Sequence, residues 1–278
     1  MILMMSKLST TMPKKLKRLL SLSKRKKFVV ISVLLSFGLL GAQAVYDIYR
    51  YAAIGGLSLI TAGLTLWSLK DDLHKIGWWM VVILPSLFTA SVNLFYFLLP
   101  EKLLVRIILF LVFAVGMYAL LLTENIFTVA AIRTIQLLRA AQALGFVFSL
   151  VIAFLLFDSI FSFRLDPWIN MILVFIAAFP IVLQGVWSSK LEETLTREVV
   201  SYSLALSWVI SQSAFFISMW PVTIIIASLF LVTILYVGLG IIQQAMVGRL
   251  FKQTIREYLQ VGIVVLLIVL FTASWGGQ

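Results

Sequence analysis

The acidic, amide and arginine side chains that interrupt the apolar stretches of this sequence are the residues most able to do chemistry. One stretch, LLTENIFTVAAIRTIQLLRAAQALGF at 121–146, carries one carboxylate, Glu124, together with Arg133 and Arg139. Inside a membrane such ionisable groups mark a functional site by default. On the membrane surface they would instead belong to a helix that contacts lipid headgroups.

We interpret residues 125–142 as an interfacial amphipathic helix on the cytoplasmic membrane surface. A helical wheel separates most of its apolar side chains from its arginines and glutamines. Its hydropathy is below that of spanning segments, and each arginine near the centre of a span would cost about 2.5–3.5 kcal/mol. Because Val129, Ile132 and Ile135 are mixed into the polar arc, we expect that arc to pack partly against the bundle or the other cytoplasmic loops.

Asp158 is the acidic residue that the sequence places deepest within a span. An ionisable group at that depth calls for a partner, and Arg106, near the same membrane face, is the residue that we expect to pair with it. A proton or ligand site and simple interfacial exposure are the alternatives. Asn93 and Gln212 also lie within spans, and with Asp158 they form the predicted ligand-binding set. For Asn93, an interhelical hydrogen bond competes with this interpretation.

The loop with Asp71, Asp72 and His74 is where carboxylates and the single histidine lie closest together. Such groups could bind Mg²⁺ or a phosphate, but Lys70 and Lys75 neutralise the loop and no fourth ligand is near. The sequence has no Walker A, G-x-S-x-G or H-E-x-x-H motif, and it has no cysteine for thiolate chemistry. We therefore predict no catalytic residues, no metal and no cofactor, and we favour a protein that is not an enzyme.

The elements that must position these residues are long apolar segments. Hydrophobic residues form 62% of the 278-residue chain and charged residues 12%, about half the charged fraction of a soluble domain. Runs of roughly 20 apolar residues can cross a membrane, so we predict an all-α, polytopic bundle of about nine transmembrane helices. The predicted spans are 28–45, 51–69, 77–99, 103–123, 143–163, 168–187, 200–219, 222–242 and 258–275. Residues 1–27 form a basic cytoplasmic tail, and 28–278 form the transmembrane domain.

The lysines and arginines predict how these spans are oriented. Of the 22 such residues, 18 fall on the side of the N-terminus and 4 on the opposite side. By the positive-inside rule the N-terminus is cytoplasmic and the C-terminus lies outside, and the expected location is the cell membrane. As an alternative, the first apolar run ends in Ala42-Gln43-Ala44, a pattern typical of signal-peptidase cleavage after Ala44.

The basic tail and two stripes of small residues indicate the expected partners. Basic residues beside a membrane attract anionic lipid headgroups at about 1 kcal/mol each. Beyond the bilayer we expect a membrane protein partner or a second copy of the chain, and no nucleic acid. The predicted interfacial lipid contacts are Lys24, Arg25, Lys26, Lys27, Arg133 and Arg139. The predicted helix-packing residues are Ser203, Ser207 and Ser211 in the seventh span and Gly56 and Gly63 in the second.

Three function classes remain open from the sequence. A transporter- or channel-like protein for a small solute or lipid is favoured by the many spans, the prolines within helices and the polar face around Asn93. A non-catalytic membrane subunit or scaffold that packs with partner membrane proteins is favoured by the small-residue stripes. A lipid-modifying membrane enzyme depends on the loop with Asp71, Asp72 and His74 alone.

Overall fold

The protein is all-helical in the part of the chain that the structure describes. A computed structural model describes residues 23–43, 47–70, 78–100, 102–130, 136–192 and 195–273. Within these ranges there are nine α-helices and no β-strand, which confirms the predicted fold class. The helices are α1 (Lys24–Gln43), α2 (Arg50–Leu69), α3 (Met80–Tyr96), α4 (Leu103–Ala130), α5 (Leu138–Ser162), α6 (Pro167–Lys190), α7 (Arg197–Ile217), α8 (Ile224–Met246) and α9 (Lys252–Thr272), and a short 3-10 helix, Asp47–Tyr49, precedes α2.

Eight of these helices are long and apolar enough to cross a membrane. The exception is α3, whose 17 residues rise about 25 Å at 1.5 Å per residue, somewhat less than a ~30 Å hydrocarbon core. The length and composition of the eight helices indicate a multi-pass membrane protein.

Consecutive helices run antiparallel, as contacts between their ends show. Lys27 at the start of α1 lies 5.5 Å from the ring centroid of Trp67 near the end of α2. The Ser211 hydroxyl near the end of α7 donates to the Met171 carbonyl near the start of α6. A Cβ added to Gly145 near the start of α5 would lie 3.2 Å from the Phe127 ring near the end of α4. One end of the bundle therefore holds the starts of the odd-numbered helices and the ends of the even-numbered ones. We call it the basic end, because most described lysines and arginines lie there, and we call the opposite end the far end.

The centre of the bundle is α5, which packs against α3, α4, α6 and α8. It contributes Ile152, Ala153 and Phe157 to the core with no exposed surface. α7 packs most extensively on α6, and α1 on α4. At the edge, α9 packs on α8, and its buried side chain is Val269. The basic end of α5, α6 and α8 therefore meets at one place, beside the start of α9.

Residues 125–142 do not form the interfacial helix that the sequence predicted. α4 continues without a break to Ala130, and α5 already begins at Leu138. The segment is thus divided between two helices of the bundle, and Arg133 falls outside the described residues.

The reason for the long α4 is that its last turns still bury one face in the bundle. Glu124, Phe127 and Thr128 lie on that face with no exposed surface. The Phe127 ring packs edge-on against Trp187 of α6, with 6.5 Å between the ring centroids. The polar residues that looked like a solvent-facing arc are therefore partly an interior surface of the protein.

Candidate functional site

Glu124 of α4 is a carboxylate with no exposed surface, held in the interior of the helix bundle. Gln184 of α6, equally buried, donates its side-chain amide to both carboxylate oxygens, at 3.0 Å to Oε1 and 3.3 Å to Oε2. No salt bridge to Glu124 is present in the described part of the chain. The Gln184 Oε1 atom is itself buried and has no hydrogen-bond partner there. A carboxylate in this setting is the kind of intramembrane group that marks a functional site.

A cavity of about 430 Å³ lies at the basic end, one turn along α6 from Gln184, and its lining is partly polar and partly apolar. It is bounded by α5, α6, α8 and α9, and we call it the basic-end cavity. The two arginines in its lining, Arg139 and Arg249, are both exposed. The lining also includes Gln142, Phe146, Ser188, Ser189, Gln243 and Tyr258.

Two glutamines in the lining connect neighbouring helices to the last turns of α6. Gln142 of α5 donates its amide to the Ser188 carbonyl at 2.9 Å, and Gln243 of α8 donates to the Gly185 carbonyl at 2.8 Å. The last four carbonyls of a helix lack partners within that helix, so the Gln142 amide satisfies a Ser188 group that would otherwise need water. The Gly185 carbonyl lies further inside α6 and also accepts the Ser188 hydroxyl. Three helices are therefore tied together by side-chain amides around the cavity.

Close helix approaches at two glycines shape the cavity wall. A Cβ added to Gly185 of α6 would lie 2.8 Å from a methyl carbon of Leu239 on α8. A Cβ added to Gly240 would overlap the ring of Tyr258. Since only glycine leaves this space, α8 can lie close to both α6 and α9.

Two aromatic rings line the cavity, those of Phe146 and Tyr258, and both contact the ring of Tyr236. The Phe146 and Tyr236 centroids are 5.7 Å apart, and those of Tyr236 and Tyr258 are 5.2 Å apart. Offset and edge-on pairs at such distances are favourable. Tyr236 thus packs between the two aromatic rings of the lining.

A glycine turn fixes the position of Arg249 at the rim of the cavity. After α8 ends at Met246, Gly248 adopts φ +70°. The Arg249 amide then donates to the Gln244 carbonyl at 2.9 Å, as in a helix C-terminal turn of the Schellman type. Arg139 approaches from the first turn of α5, so the two cations belong to different elements.

A second cavity, of about 580 Å³, lies at the far end, where α5, α6, α7 and α8 meet. Its lining includes Arg164, Asn170 and Thr223. Asn170 donates at 3.2 Å both to the Leu165 carbonyl and to the Ser218 hydroxyl oxygen. Its Oδ1 atom is buried without a partner.

The expected ion pair between Arg106 and Asp158 is not formed. Arg106 Nε donates to the Tyr96 hydroxyl of α3 at 2.8 Å. Asp158 lies on the buried face of α5 and faces Ser228 of α8. Both residues are described and no salt bridge joins them, because their side chains turn toward different neighbouring helices.

The three residues of the predicted ligand-binding set do not converge. Asn93 is fully buried on α3 and donates to the Thr89 carbonyl at 2.8 Å. Gln212 is half-buried on α7, which packs mainly on α6 and α8. Asp158 is on α5, between these two regions. The polar face of α3 contacts α2 instead, where the hydroxyls of Thr89 and Thr61 lie 3.0 Å apart.

The two predicted packing stripes differ in their surroundings. Ser203, Ser207 and Ser211 are buried on α7, and the Ser211 hydroxyl donates to the Met171 carbonyl of α6 at 2.8 Å. A Cβ on Gly56 or Gly63 of α2 would meet no atom within 4 Å. These two glycines therefore do not serve a close helix approach within the described chain.

The predicted lipid contacts at the start of α1 also separate into two groups. Arg25 and Lys26 are exposed and Lys24 is half-buried, but Lys27 is only 7% exposed and lies over Trp67. Lys27 is therefore part of the contact between α1 and α2.

The loop with Asp71, Asp72 and His74 lies outside the described residues, as does Arg133. Within the described ranges no three His, Cys, Asp or Glu side chains cluster as metal ligands would.

Sequence reasoning missed the glutamines that build the site. Gln142, Gln184 and Gln243 each lie within about two turns of the same-side end of an apolar helix. Amides at one common depth on three helices were a signal that they could meet, and Glu124 lies at that depth on a fourth. Periodicity alone did not identify which helices are neighbours.

No curated protein and no solved structure matches the chain. One protein family does match, over residues 31–272, from the second turn of α1 to the end of α9. The chain therefore belongs to the family described as "Protein of unknown function (DUF5656)".

Proposed function

We propose that this protein is a transporter- or channel-like membrane protein for a small solute or lipid, with its basic end in the cytoplasm. The observation that carries the proposal is the Glu124 carboxylate, fully buried and held by Gln184, which lies one turn along α6 from the cavity that opens at the basic end. The orientation follows from the excess of lysine and arginine at that end.

The chemistry of a buried carboxylate supports this proposal. A buried polar or ionic group contributes little to stability compared with well-packed apolar residues of the same volume. What it adds is the ability to take up and release a proton or to bind a cation. Within helical membrane proteins such acids act in proton relays and ion pathways, and Glu124 would have that role here.

Apolar side chains fill the interface of α5, α6 and α8 between the two cavities. Ala153 of α5, Ile181 of α6 and Leu235 of α8 have no exposed surface there. In the proposed function the two cavities are vestibules on opposite sides of this apolar layer. Transport then requires a movement that admits water or substrate through the layer, as hinge or shear motions do in other proteins.

Proton movement into liposomes provides the first test. The purified protein is reconstituted with a pH-sensitive dye inside the vesicles, and a pH gradient is imposed. We expect the wild type to dissipate the gradient faster than protein-free vesicles, and Glu124→Gln to abolish most of that difference. The matched control is Glu198→Gln, since Glu198 is an exposed acid at the start of α7 and should leave the rate unchanged.

Cysteine accessibility provides a second test that needs no known substrate. The chain has no cysteine, so a single introduced thiol is the only reactive one. Ala178 has no exposed surface and lies in the apolar layer on α6. We expect Ala178→Cys to react with a membrane-impermeant maleimide as the protein cycles, whereas Val269→Cys, equally buried against α8, should not. If Ala178→Cys stays unreactive and no proton flux is seen, the non-catalytic membrane subunit becomes the better assignment.

A further inference from the structure

We propose that the basic-end cavity binds the phosphate group of an anionic ligand between Arg139 and Arg249. The inference deepens the proposed function and rests on it, because it names the ligand class of the same cavity. Its test measures binding without transport, so that the two can fail separately.

The charge of the cavity lining carries the first step. The lining holds two cations, Arg139 and Arg249, and no carboxylate. Neither arginine forms a salt bridge with a described acid. An anion in the cavity would therefore meet unopposed positive charge. A cation would meet repulsion.

The type of cation points to phosphate in particular. The planar guanidinium presents parallel N–H groups that match two oxygens of one phosphate. Because Arg139 begins α5 and Arg249 follows α8, the two forks approach the cavity from different elements. The Gly248 turn at φ +70° fixes the backbone of Arg249 at the rim, so less order has to be created on binding.

Neutral donors complete the polar side of the cavity. The Ser189 hydroxyl is buried and has no hydrogen-bond partner among the described residues. A buried polar atom without a partner costs free energy, which a ligand oxygen would relieve. Ser189 lies at the end of α6, next to the carbonyl that accepts from Gln142.

The remaining wall suits a ligand that is apolar beside its phosphate. Phe146, Val147 and Val247 line the cavity next to the arginines. Its volume of about 430 Å³ is within the ~300–1,000 Å³ range of small-molecule sites. The shared chemistry is a phosphate group, supplied either by a lipid headgroup or by a free phosphate compound.

Binding is measured on the full-length protein in a neutral maltoside detergent. Dihexanoyl phosphatidic acid and inorganic phosphate are titrated separately, and the readouts are the rise in Tm and the adducts seen by native mass spectrometry. Bound ligand raises Tm because it stabilises the folded state alone. Dihexanoyl glycerol, with the same acyl chains and no phosphate, is the ligand control.

The variant pair is Arg139→Gln/Arg249→Gln, compared with Arg197→Gln/Arg256→Gln, whose arginines do not line the cavity. Both remove two exposed arginines from the basic end, so the loss of net charge is equal. We expect the first pair to bind phosphatidic acid about tenfold or more weakly, because hydrogen bonds to charged groups are the strong ones. The second pair should change binding by no more than about twofold, the effect of screened surface charge. Tm without ligand should be similar in both.

The outcomes distinguish the ligand sources and can overturn the proposal. Competition by inorganic phosphate supports a free phosphate compound, and binding of the lipid probe alone supports a headgroup. Equal weakening in the two variant pairs, or dihexanoyl glycerol binding as tightly as phosphatidic acid, refutes a phosphate site between these arginines. Binding that persists without proton flux leaves this inference standing and removes the transport function, and the reverse result removes this inference alone.

Discussion

The two ends of the helix bundle both contain a cavity with polar side chains in its lining, but these side chains are used differently. At the basic end, amides cross between helices: Gln142 and Gln243 reach the backbone of α6, and Gln184 reaches Glu124 of α4. At the far end, Asn170 bonds the Leu165 carbonyl five residues earlier and the end of α7. The polar contacts at the basic end thus include a buried carboxylate, whereas those at the far end hold the connection between α5 and α6 in place.

This difference shows which polar residues are needed for the chain to fold and which are available for chemistry. The Asn170 amide closes the connection between α5 and α6, a structural role. Glu124 has no comparable structural role, because an apolar side chain could fill the same space. Its hydrogen-bond donor is the Gln184 amide. We therefore expect substitutions at the basic end to have larger effects on stability, because they leave the buried carboxyl group of Glu124 without its hydrogen-bond donor.

The largest effect is expected from Gln184→Leu. The substitution leaves the Glu124 carboxylate buried without its amide donor, which should lower the free energy of unfolding by about 3 kcal/mol. The far-end counterpart, Asn170→Leu, removes neutral hydrogen bonds and should cost about 1–2 kcal/mol. Titration with SDS in mixed micelles, followed by circular dichroism, measures both.

A double substitution separates two costs: that of leaving the Glu124 carboxyl group without a donor, and that of the packing lost at Gln184. In Glu124→Leu/Gln184→Leu the carboxylate is gone, so the double variant should be more stable than Gln184→Leu alone. If the double variant loses the sum of the two single effects, the two residues are independent. The contrast between the two ends would then have no energetic basis.

A smaller effect is expected from Gly240→Ala, at the close approach of α8 and α9. The new Cβ would overlap the Tyr258 ring, so either the ring turns aside or α9 shifts, at a cost of about 1–3 kcal/mol. Gly63→Ala on α2 is the matched control, because a Cβ there meets no atom within 4 Å. That variant should be neutral or more stable by up to about 1 kcal/mol, since alanine is the better helix former. Equal destabilisation in both would mean that the approach at Gly240 is not tight.

Sequence patterns predicted which segments are helices, but not which helices are neighbours. Apolar runs of spanning length led to nine segments, and each corresponds to a described helix. Hydropathy has this power because a membrane segment must be apolar along its whole length. The error over 125–142 arose because a helical wheel cannot tell a polar face that meets water from one that meets a polar partner on another helix. Glu124 is satisfied by a residue sixty positions away.

The same reasoning explains the error at Arg106 and Asp158. Both residues are at the far end, as their sequence depths predicted. Their neighbours are set by the order in which helices pack: α4 places Arg106 beside Tyr96 of α3, and α5 places Asp158 beside Ser228 of α8. The position of a residue along its span gives its depth in the membrane. Its contact partner depends on which helices are neighbours, and composition does not encode that.

The smallest effects are expected from the turns that follow the helices at the two ends, and they should have opposite signs. Gly248 at the basic end and Arg164 at the far end both have positive φ, +70° and +50°. Residues with a Cβ are strained in this region by about 1–2 kcal/mol. Gly248→Ala should therefore destabilise the protein by about 1 kcal/mol, and Arg164→Gly should stabilise it by a similar amount.

These two variants also differ in what they do to the cavities. Gly248→Ala disturbs the turn that fixes the backbone of Arg249, so phosphatidic acid binding should weaken along with stability. Arg164→Gly removes a far-end cation and should leave that binding unchanged. SDS titration gives the two stability changes, and the Tm shift with dihexanoyl phosphatidic acid gives the two affinities. A loss of lipid binding in Arg164→Gly would show that the two ends are not independent, because a substitution at one cavity would then change occupancy of the other.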